Sequence, residues 1–452
     1  MRRLAVPAAL AALLAACSVD VRGARCNDDS NCPPGEGCGL DSRCSPDALC
    51  PAAGAAVGQA CSPGSAVPSC GTSADKDKLT HCAPSGFNRT CNLWTVMDCA
   101  AVGMTCKTGG SAACACPNPG STFYADAGSA ALPGVTRTGA QTPEGCRFDR
   151  FGDALVAANL LGAGAGVLLT GAAASKMVFT EAGPLDVSAG VTVTTDDPGA
   201  VPSLYALAAS AGTTTFLALH AGSTLSHLEV RNAGATGDAI EVACPNPADT
   251  AAVTIDTVKV TGSSGGASPS VFRAGVHDSG HCALVVNASS IVGVGDSGVF
   301  VEAAAGALTL TGNLIAGNGA VTPYTLGTNE HRGGGLVFTA PLPSAVVFTG
   351  NRVYGNAWDQ ILVATSSTAT TLDLKGGAAA ADCGTTANLI CRNPSTPPAS
   401  VLPFVGVFSN GAPVQVDWNQ WTQQPGVLGT DVGGTGITGY NNNSCPVTIA
   451  CP

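Results

Sequence analysis

Gly298-Val299-Phe300-Val301-Glu302, followed by Leu308-Thr309-Leu310-Thr311-Gly312-Asn313 and Ile315-Ala316-Gly317-Asn318, is answered further along by three matching runs. These are Gly335-Leu336-Val337-Phe338-Thr339, Val346-Val347-Phe348-Thr349-Gly350-Asn351 and Val353-Tyr354-Gly355-Asn356. They are two copies of one unit. Each copy holds three short strand-like runs that stop at glycine or asparagine, residues that accept turn backbone. Weaker copies start at Gly237 (Gly237-Asp238-Ala239-Ile240-Glu241) and Gly275. The starting glycines 237, 275, 298 and 335 step by 38, 23 and 37 residues. A coil of about 23 residues with insertions of about 15 in alternate turns fits these steps. Three short strands and three turns per coil make an all-β solenoid.

In a parallel solenoid, residues at equal offsets stack about 4.8 Å apart, the spacing of hydrogen-bonded strands. Three residues beyond each starting glycine lie Ile240, Asp278, Val301 and Phe338, a mostly apolar inward column. One residue further lie Glu241, Ser279, Glu302 and Thr339, a polar outward one. Seven residues beyond lie Cys244 and Cys282, which equal register brings within disulfide reach. Cys383 with Cys391 and Cys445 with Cys451 are expected as local bridges, and Cys146 is expected to bridge back to the cysteine-rich region upstream.

Upstream of the coils the pattern changes. Phe151 to Leu161 has apolar residues at helical spacing, Gly162 to Gly166 breaks it, and Val167-Leu168-Leu169 reads as a strand. Residues 154–174 are apolar enough to raise a membrane span, but their glycines, Asn159 and Asp153 favour a helix, turn and strand outside the bilayer. Short β-rich runs follow at Leu185-Asp186-Val187, Val191 to Thr195, Thr215 to Leu219, Leu225 to Val230 and Val253 to Val260, each bounded by glycine, proline or asparagine.

On these motifs, residues 150–440 resemble a right-handed parallel β-helix of about ten coils. The likeness is to the pectin-lyase-like superfamily, specifically its "GI-x-V... I-x-x-N-x-I-x-G-N" coils, and the helix, glycine-rich turn and strand of 151–169 resemble that fold's N-terminal cap. The resemblance implies a fold and no particular reaction. It does imply where chemistry would lie, since some β-helices cleave acidic or neutral polysaccharides on the outer wall of consecutive coils. They use carboxylates, a base and sometimes calcium.

The chemistry needs paired acids, or an acid cluster beside a cation. Weak catalytic candidates are Glu241 and Glu302, with His277 between them, and Glu330-His331-Arg332 in the long insertion 320–334, which is placed as a wall over the neighbouring groove. No paired aspartates of the polygalacturonase type stand out, and no metal or cofactor is expected. Solvated surface charge is the preferred reading of these residues. Asn313, Asn318, Asn351 and Asn356 are read as stacked turn amides rather than sugar ligands. Tyr324, Tyr354, Trp358, Trp418 and Trp421 suit sugar stacking if exposed and core packing if not. Gly295-Asp296-Ser297-Gly298 and Ser279-Gly280-His281-Cys282 echo serine-protease text, but His281 and Ser297 lie too close together for that fold.

The N-terminal third is governed by cysteine. Of 21 cysteines, thirteen lie between Cys26 and Cys116 and seven follow Cys116. Cys26, Cys32, Cys38, Cys44 and Cys50 recur every six residues in a segment that is nearly all turn and resembles small extracellular disulfide modules, so the N-terminal region is expected to be disulfide-rich and mostly irregular. After the Pro51 to Ala60 linker, Cys61, Cys70, Cys82, Cys91, Cys99, Cys106, Cys114 and Cys116 form a second module with too little apolar content for a sufficient core. Paired C-x-x-C knuckles are absent, which argues for disulfides over zinc.

The chain begins with Arg2-Arg3, an apolar run from Leu4 to Leu14, and Leu14-Ala15-Ala16-Cys17. The run is too short to span a bilayer and reads as a signal peptide. Its last four residues resemble the lipobox of bacterial lipoproteins, which implies cleavage before Cys17 and lipid on its thiol. Removing Cys17 leaves an even number of cysteines, as an oxidising compartment favours. Ser18, in place of aspartate, points to the outer membrane.

The expected organisation is a signal peptide (1–16), a lipidated first module with linker (17–60), a second module (61–120), the β-helix (150–440) and a disulfide-closed tail (441–452). With 20 Lys+Arg against 31 Asp+Glu, the net charge of -11 leaves no basic surface for phosphates, so nucleic acid is an unexpected partner. The expected function is a cell-surface lipoprotein, anchored to the membrane through Cys17, that displays a β-helix for binding a glycan or protein or for scaffolding. The alternative is a polysaccharide lyase or glycoside hydrolase.

Overall fold

The computed structural model describes most of residues 52–126 and 146–440, together with Cys445, Cys32 and the backbone of two short strands at 37–38 and 44–45. Cys17, the signal peptide, the side chain of Cys146 and Cys451 lie outside the described residues. The chain divides into two compact units, Met1–Pro117 and Asn118–Pro452.

In the first unit Gly37–Cys38 pairs antiparallel with Cys44–Ser45. Ala60–Cys61, Ser69–Cys70, Lys78–Pro84 and Asn92–Asp98 form a four-stranded antiparallel sheet in which the two long strands are central. Thr105–Lys107 and Ala113–Ala115 make a separate antiparallel pair. Bridges Cys61–Cys82 and Cys70–Cys106 tie these strands together. Only Leu79, Cys99 and Ala112 are buried among this unit's described residues.

The second unit is a parallel β-helix. Successive strands rotate through three stacked parallel sheets of nine, nine and ten strands, called here sheets A, B and C. One coil runs Val253–Asp256 on A, Lys259–Thr261 on B and Val276–Asp278 on C; the next runs Leu284–Asn287, Ser290–Val292 and Val299–Val301. Sheet A starts earlier than residue 150, because Thr122–Asp126 lies between Cys146–Phe148 and Gly166–Thr170 in the same sheet. The α-helix spans Phe151–Leu161 and buries Phe151, Ala154, Leu155, Ala157 and Ala158 over the first coil. The buried carboxylate of Glu181 receives the Gly152 N–H at 3.2 Å and the Arg150 guanidinium at 3.0 Å, so a negative charge sits at the helix's positive end. No helix among the described residues is long and apolar enough to cross a membrane.

The A-to-B corner explains the asparagines. Each corner uses two residues. The first adopts left-handed backbone at His227, Thr257, Ala288, Gly312 and Gly350. The second points inward as Leu228, Val258, Ser289, Asn313 and Asn351, all buried. From Ser289 onward this inner column is polar, and each member satisfies the next. Asn313 Nδ2 donates to Asn351 Oδ1 at 3.0 Å, Asn351 Nδ2 to Asn388 Oδ1 at 3.0 Å, and Asn388 Nδ2 to Asn419 Oδ1 at 2.8 Å. A shorter stack joins Asn318 to Asn356 and Asn356 to Gln360. These amides fulfil one another inside the solenoid and are unavailable to a sugar.

Strand register differs from expectation at one coil. Ile240 lies against Val276, Glu241 against His277 and Val242 against Asp278, a slip of two residues. Beyond it the columns run as expected, with Asp278, Val301 and Phe338 in line. The cause lies in the glycines. Gly275, Gly298 and Gly335 occupy one column because the neighbouring coil crosses too closely for a side chain; a Cβ on Gly335 would meet the Gln360 carbonyl at 2.2 Å. The residue opposite Gly275 on the preceding coil is Ala239, not Gly237. A slip of two preserves which face each side chain takes, since faces alternate with period two.

Cys244 and Cys282 are bonded, with Cα atoms 5.7 Å apart. The two expected local bridges near the C-terminus do not form, because Cys383 is joined to Cys445, 62 residues away. Cys391 is also disulfide-bonded. Sequence proximity misled here: the solenoid returns distant residues to adjacent coils, so the nearer cysteine along the chain need not be the nearer one in space.

Facing outward on sheet A are two columns in register. One holds Thr192, Thr224, Thr254, Val285, Thr309 and Val347; the other holds Thr194, Ser226, Asp256, Asn287, Thr311 and Thr349.

Candidate functional site

The outer wall of sheet C carries the chemistry. Its outward column runs Ala218, Glu241, His277, Phe300, Val337, Leu362 and Phe408. Around His277 in this column lies a linked set of side chains. Arg273 holds the buried carboxylate of Asp238 with two bonds, Nε to Oδ1 at 2.7 Å and Nη2 to Oδ2 at 2.5 Å. Asp238 Oδ2 also faces His277 Nδ1 at 2.9 Å, and the Ala274 N–H donates to its Oδ1 at 3.2 Å. On the other side of the ring, His277 Nε2 lies 2.8 Å from Glu302 Oε2, while the ring stacks on Phe300 at 4.9 Å.

Burial opposes charge on both His277 and Asp238, and hydrogen bonds reverse that opposition. The Asp238 carboxylate, followed by Glu302, holds the His277 imidazolium pKa above its ordinary value, although the nearby Arg273 charge pulls the other way. Bonds from His277 and Arg273 hold the Asp238 carboxyl below the usual range. Basic and acidic side chains therefore alternate along the wall, Arg273, Asp238, His277 and Glu302. Arg273 and Glu302 are the accessible members, with side chains 50% and 54% exposed, whereas Asp238 and His277 are 4% and 9% exposed.

Of the residues picked out by sequence, the structure brings His277 and Glu302 together. Glu241 stands beside His277 in register but is engaged by two hydroxyls, Thr215 Oγ1 and Ser279 Oγ, each at 2.9 Å. Glu330, His331 and Arg332 do not join the cluster. They lie on and just beyond a hairpin, Tyr324–Leu326 paired with Asn329–His331, that the insertion folds onto the wall. Arg332 turns back to Glu330 at 2.7 Å and lies over Trp358. His331 is buried against Phe408 with Nδ1 3.0 Å from Asp359. Tyr324 and Leu326 cover the apolar part of the column, Phe300, Val337, Leu362 and Phe408. Burial, with Asp296 and Glu302 nearby, pushes the Tyr324 phenol up to about 12.

Asp238 and Arg273 were not singled out from sequence. The signal was present, since with Ala239 aligned to Gly275 Asp238 falls opposite Ala274, next to Arg273. Asp278, on the same strand as His277, points inward between Val242 and Val301. Burial pushes its carboxyl up to about 7, opposed mainly by the Gly280 N–H at 3.4 Å. Of the aromatics, Trp421 is buried and belongs to the core, while Tyr324, Tyr354, Trp358 and Trp418 are half-buried. The protease echo has no geometric counterpart: Ser297 is buried and donates to the Gly333 carbonyl. Among the described residues no group of three or more His, Cys, Asp or Glu side chains is placed to hold a metal ion.

No family model and no curated protein matches the chain. A solved structure that aligns with it is the A-module of the mannuronan C-5 epimerase AlgE4 of Azotobacter vinelandii. The alignment covers 66% of this chain and 95% of that one, at 14% identity and a TM-score of 0.32. A likeness of that size carries no argument about what this wall does, and the parallel β-helix rests on the strand pairing itself.

Proposed function

We propose that this protein is a lipoprotein of the cell envelope, tethered by lipid on Cys17, whose β-helix binds an extracellular or cell-surface glycan along the outer wall of sheet C. The observation that carries binding over cleavage is the engagement of His277 on both ring nitrogens, by Asp238 at 2.9 Å and Glu302 at 2.8 Å. A general base needs a free lone pair within reach of the proton it removes. Here the imidazole is occupied from both sides. What remains accessible is a guanidinium and a carboxylate, groups that hydrogen-bond hydroxyls, beside the half-buried Tyr324.

The tether reading is supported by the lipobox-like Leu14-Ala15-Ala16-Cys17, and Ser18 favours the outer membrane. Membership of the pectin-lyase-like superfamily is supported by the coil motif and by three parallel sheets in A, B, C order.

The second reading, polysaccharide cleavage, is favoured by one feature, the exposed Glu302 carboxylate in contact with an imidazole, a pair able to pass a proton. One experiment separates the two. The purified protein is run through gels containing neutral or acidic polysaccharides, and the same mixtures are assayed for reducing ends and unsaturated products. Binding predicts retardation by at least one polysaccharide, lost in Arg273→Ala, with no product. Product formation abolished by Glu302→Gln would replace binding with catalysis, and absence of both retardation and product would reject the glycan.

A further inference from the structure

The outward face of sheet A differs from the walls of sheets B and C. Its two columns between Thr192 and Thr349 are mostly threonine. They contain no aromatic residue and a single ionisable one, Asp256, whose carboxylate accepts the Asn287 amide at 2.6 Å. Sheet B over the same coils carries Glu229, Arg231, Lys259 and Arg352. In a chain of net charge -11, an almost neutral face of hydroxyls and methyls matches a neutral partner. Charged polymers gain nothing there.

The spacing narrows the partner further. Rungs of a parallel sheet repeat at about 4.8 Å, and outward residues two apart on one strand are separated by about 6.6 Å. Of the six rungs from Thr192 to Val347, which extend about 24 Å along the solenoid, five present hydroxyls and the rung of Val285 and Asn287 presents none. Tetrahedral water hydrogen-bonded at about 2.75 Å has second neighbours at about 4.5 Å and a hexagonal-axis repeat of about 7.3 Å. Both spacings of the protein face lie within about a tenth of these.

Threonine suits such a match. Its branched Cβ restricts χ1, so a stacked column holds its hydroxyls in place before any partner arrives, and little freedom is lost on binding. One hydroxyl pair is already joined, Ser226 Oγ to Thr194 Oγ1 at 2.9 Å. A crystalline neutral glycan such as cellulose would share the neutrality. Sugar rings, however, are gripped by aromatic faces, which these columns lack.

We infer that the outward face of sheet A, from Thr192 to Thr349, binds the ordered water of an ice surface. This reading is independent of glycan binding on sheet C, and the two faces are altered by different substitutions.

The test freezes a detergent solution of the purified, fluorescently labelled full chain slowly around a cold probe and compares the fraction taken into ice with that of a non-binding lipoprotein in the same micelles. Uptake well above the control is expected. The double variant Thr254→Lys, Thr309→Lys should fall to the control level with an unchanged circular dichroism spectrum and melting temperature; Thr254→Tyr, which keeps strand propensity, serves if the lysines disturb folding. Arg352→Ala on sheet B should be taken up as the unaltered protein is. Exclusion of the unaltered protein from ice overturns the inference, and so does full uptake of the folded sheet A variant. Sedimentation with crystalline cellulose or chitin in the absence of ice uptake overturns it in favour of a glycan face.

Discussion

Residues 52–117 and residues 118–452 hold their shape by different means. The first unit buries almost nothing among its described side chains and is cross-linked instead, by Cys61–Cys82 and Cys70–Cys106. The second builds its own core, because every coil sets Val, Leu, Ile or Phe onto the coil before it and the amide column closes the remaining polar groups. The contrast shows what repetition accomplishes. A chain that returns to the same path needs no bridge to define its neighbours, whereas a short chain without repeats does.

Reduction breaks this comparison most severely if it is wrong. Each bridge in the first unit is worth about 3 kcal/mol through the unfolded chain, a large part of the stability of so small a unit. Under a reducing agent, limited proteolysis followed by mass spectrometry should show rapid cutting within 52–117 and continued protection across 150–440, even though Cys244–Cys282 and Cys383–Cys445 are opened as well. Equal protection of both units would show that the first has a sufficient core after all.

Within the β-helix, Asp278 is a costly side chain to bury. An unfolded aspartate releases its proton near pH 4, whereas the folded one, raised by burial, holds it until about 7. Between those values the unfolded state binds fewer protons, so stability falls as pH rises and levels off above 7, a loss on the order of 4 kcal/mol. Asp278→Asn removes that slope. Melting curves from pH 4 to 8 should show the variant gaining on the parent as pH rises, and parallel curves would place Asp278 in contact with water.

Cutting the amide column has a somewhat smaller expected effect. Asn351→Leu leaves the Leu310 carbonyl, the Asn313 N–H and amide, and the Asn388 carbonyl oxygen short of a partner inside the solenoid. The expected cost is about 3 kcal/mol, given the usual penalty for unpaired buried polar groups, read as a lower urea midpoint. An unchanged midpoint would mean that the column is ornamental to stability.

Much of this architecture was legible in sequence. The helix at Phe151–Leu161 and the three-strand coil follow from local periodicity and from glycine and asparagine at fixed offsets. The stacked role of Asn313 and Asn351 was legible for the same reason. What escaped reading depends on distances along the stack. Gly237 looked equivalent to Gly275, yet the small residue that the close coil crossing demands is Ala239, and this slip hid the pairing of Asp238 with Arg273. The Cys383–Cys445 bridge escaped because 62 residues of chain separate two cysteines that the fold makes adjacent. Insertions conceal most: nothing in Glu330-His331-Arg332 announces that His331 turns into the fold against Asp359 while Arg332 turns out over Trp358.

Binding rather than cleavage depends on the state of one ring. Nitrogen NMR of histidine-labelled protein, with His277 assigned by comparison with His277→Gln, follows its titration directly. Clamped between Asp238 and Glu302, His277 should titrate above the ordinary histidine value, and Glu302→Gln should lower its pKa by removing one of the two carboxylates that raise it. A His277 that titrates at or below the ordinary histidine value, unmoved by Glu302→Gln, would contradict the account and return the wall of sheet C to the candidates for a catalytic base.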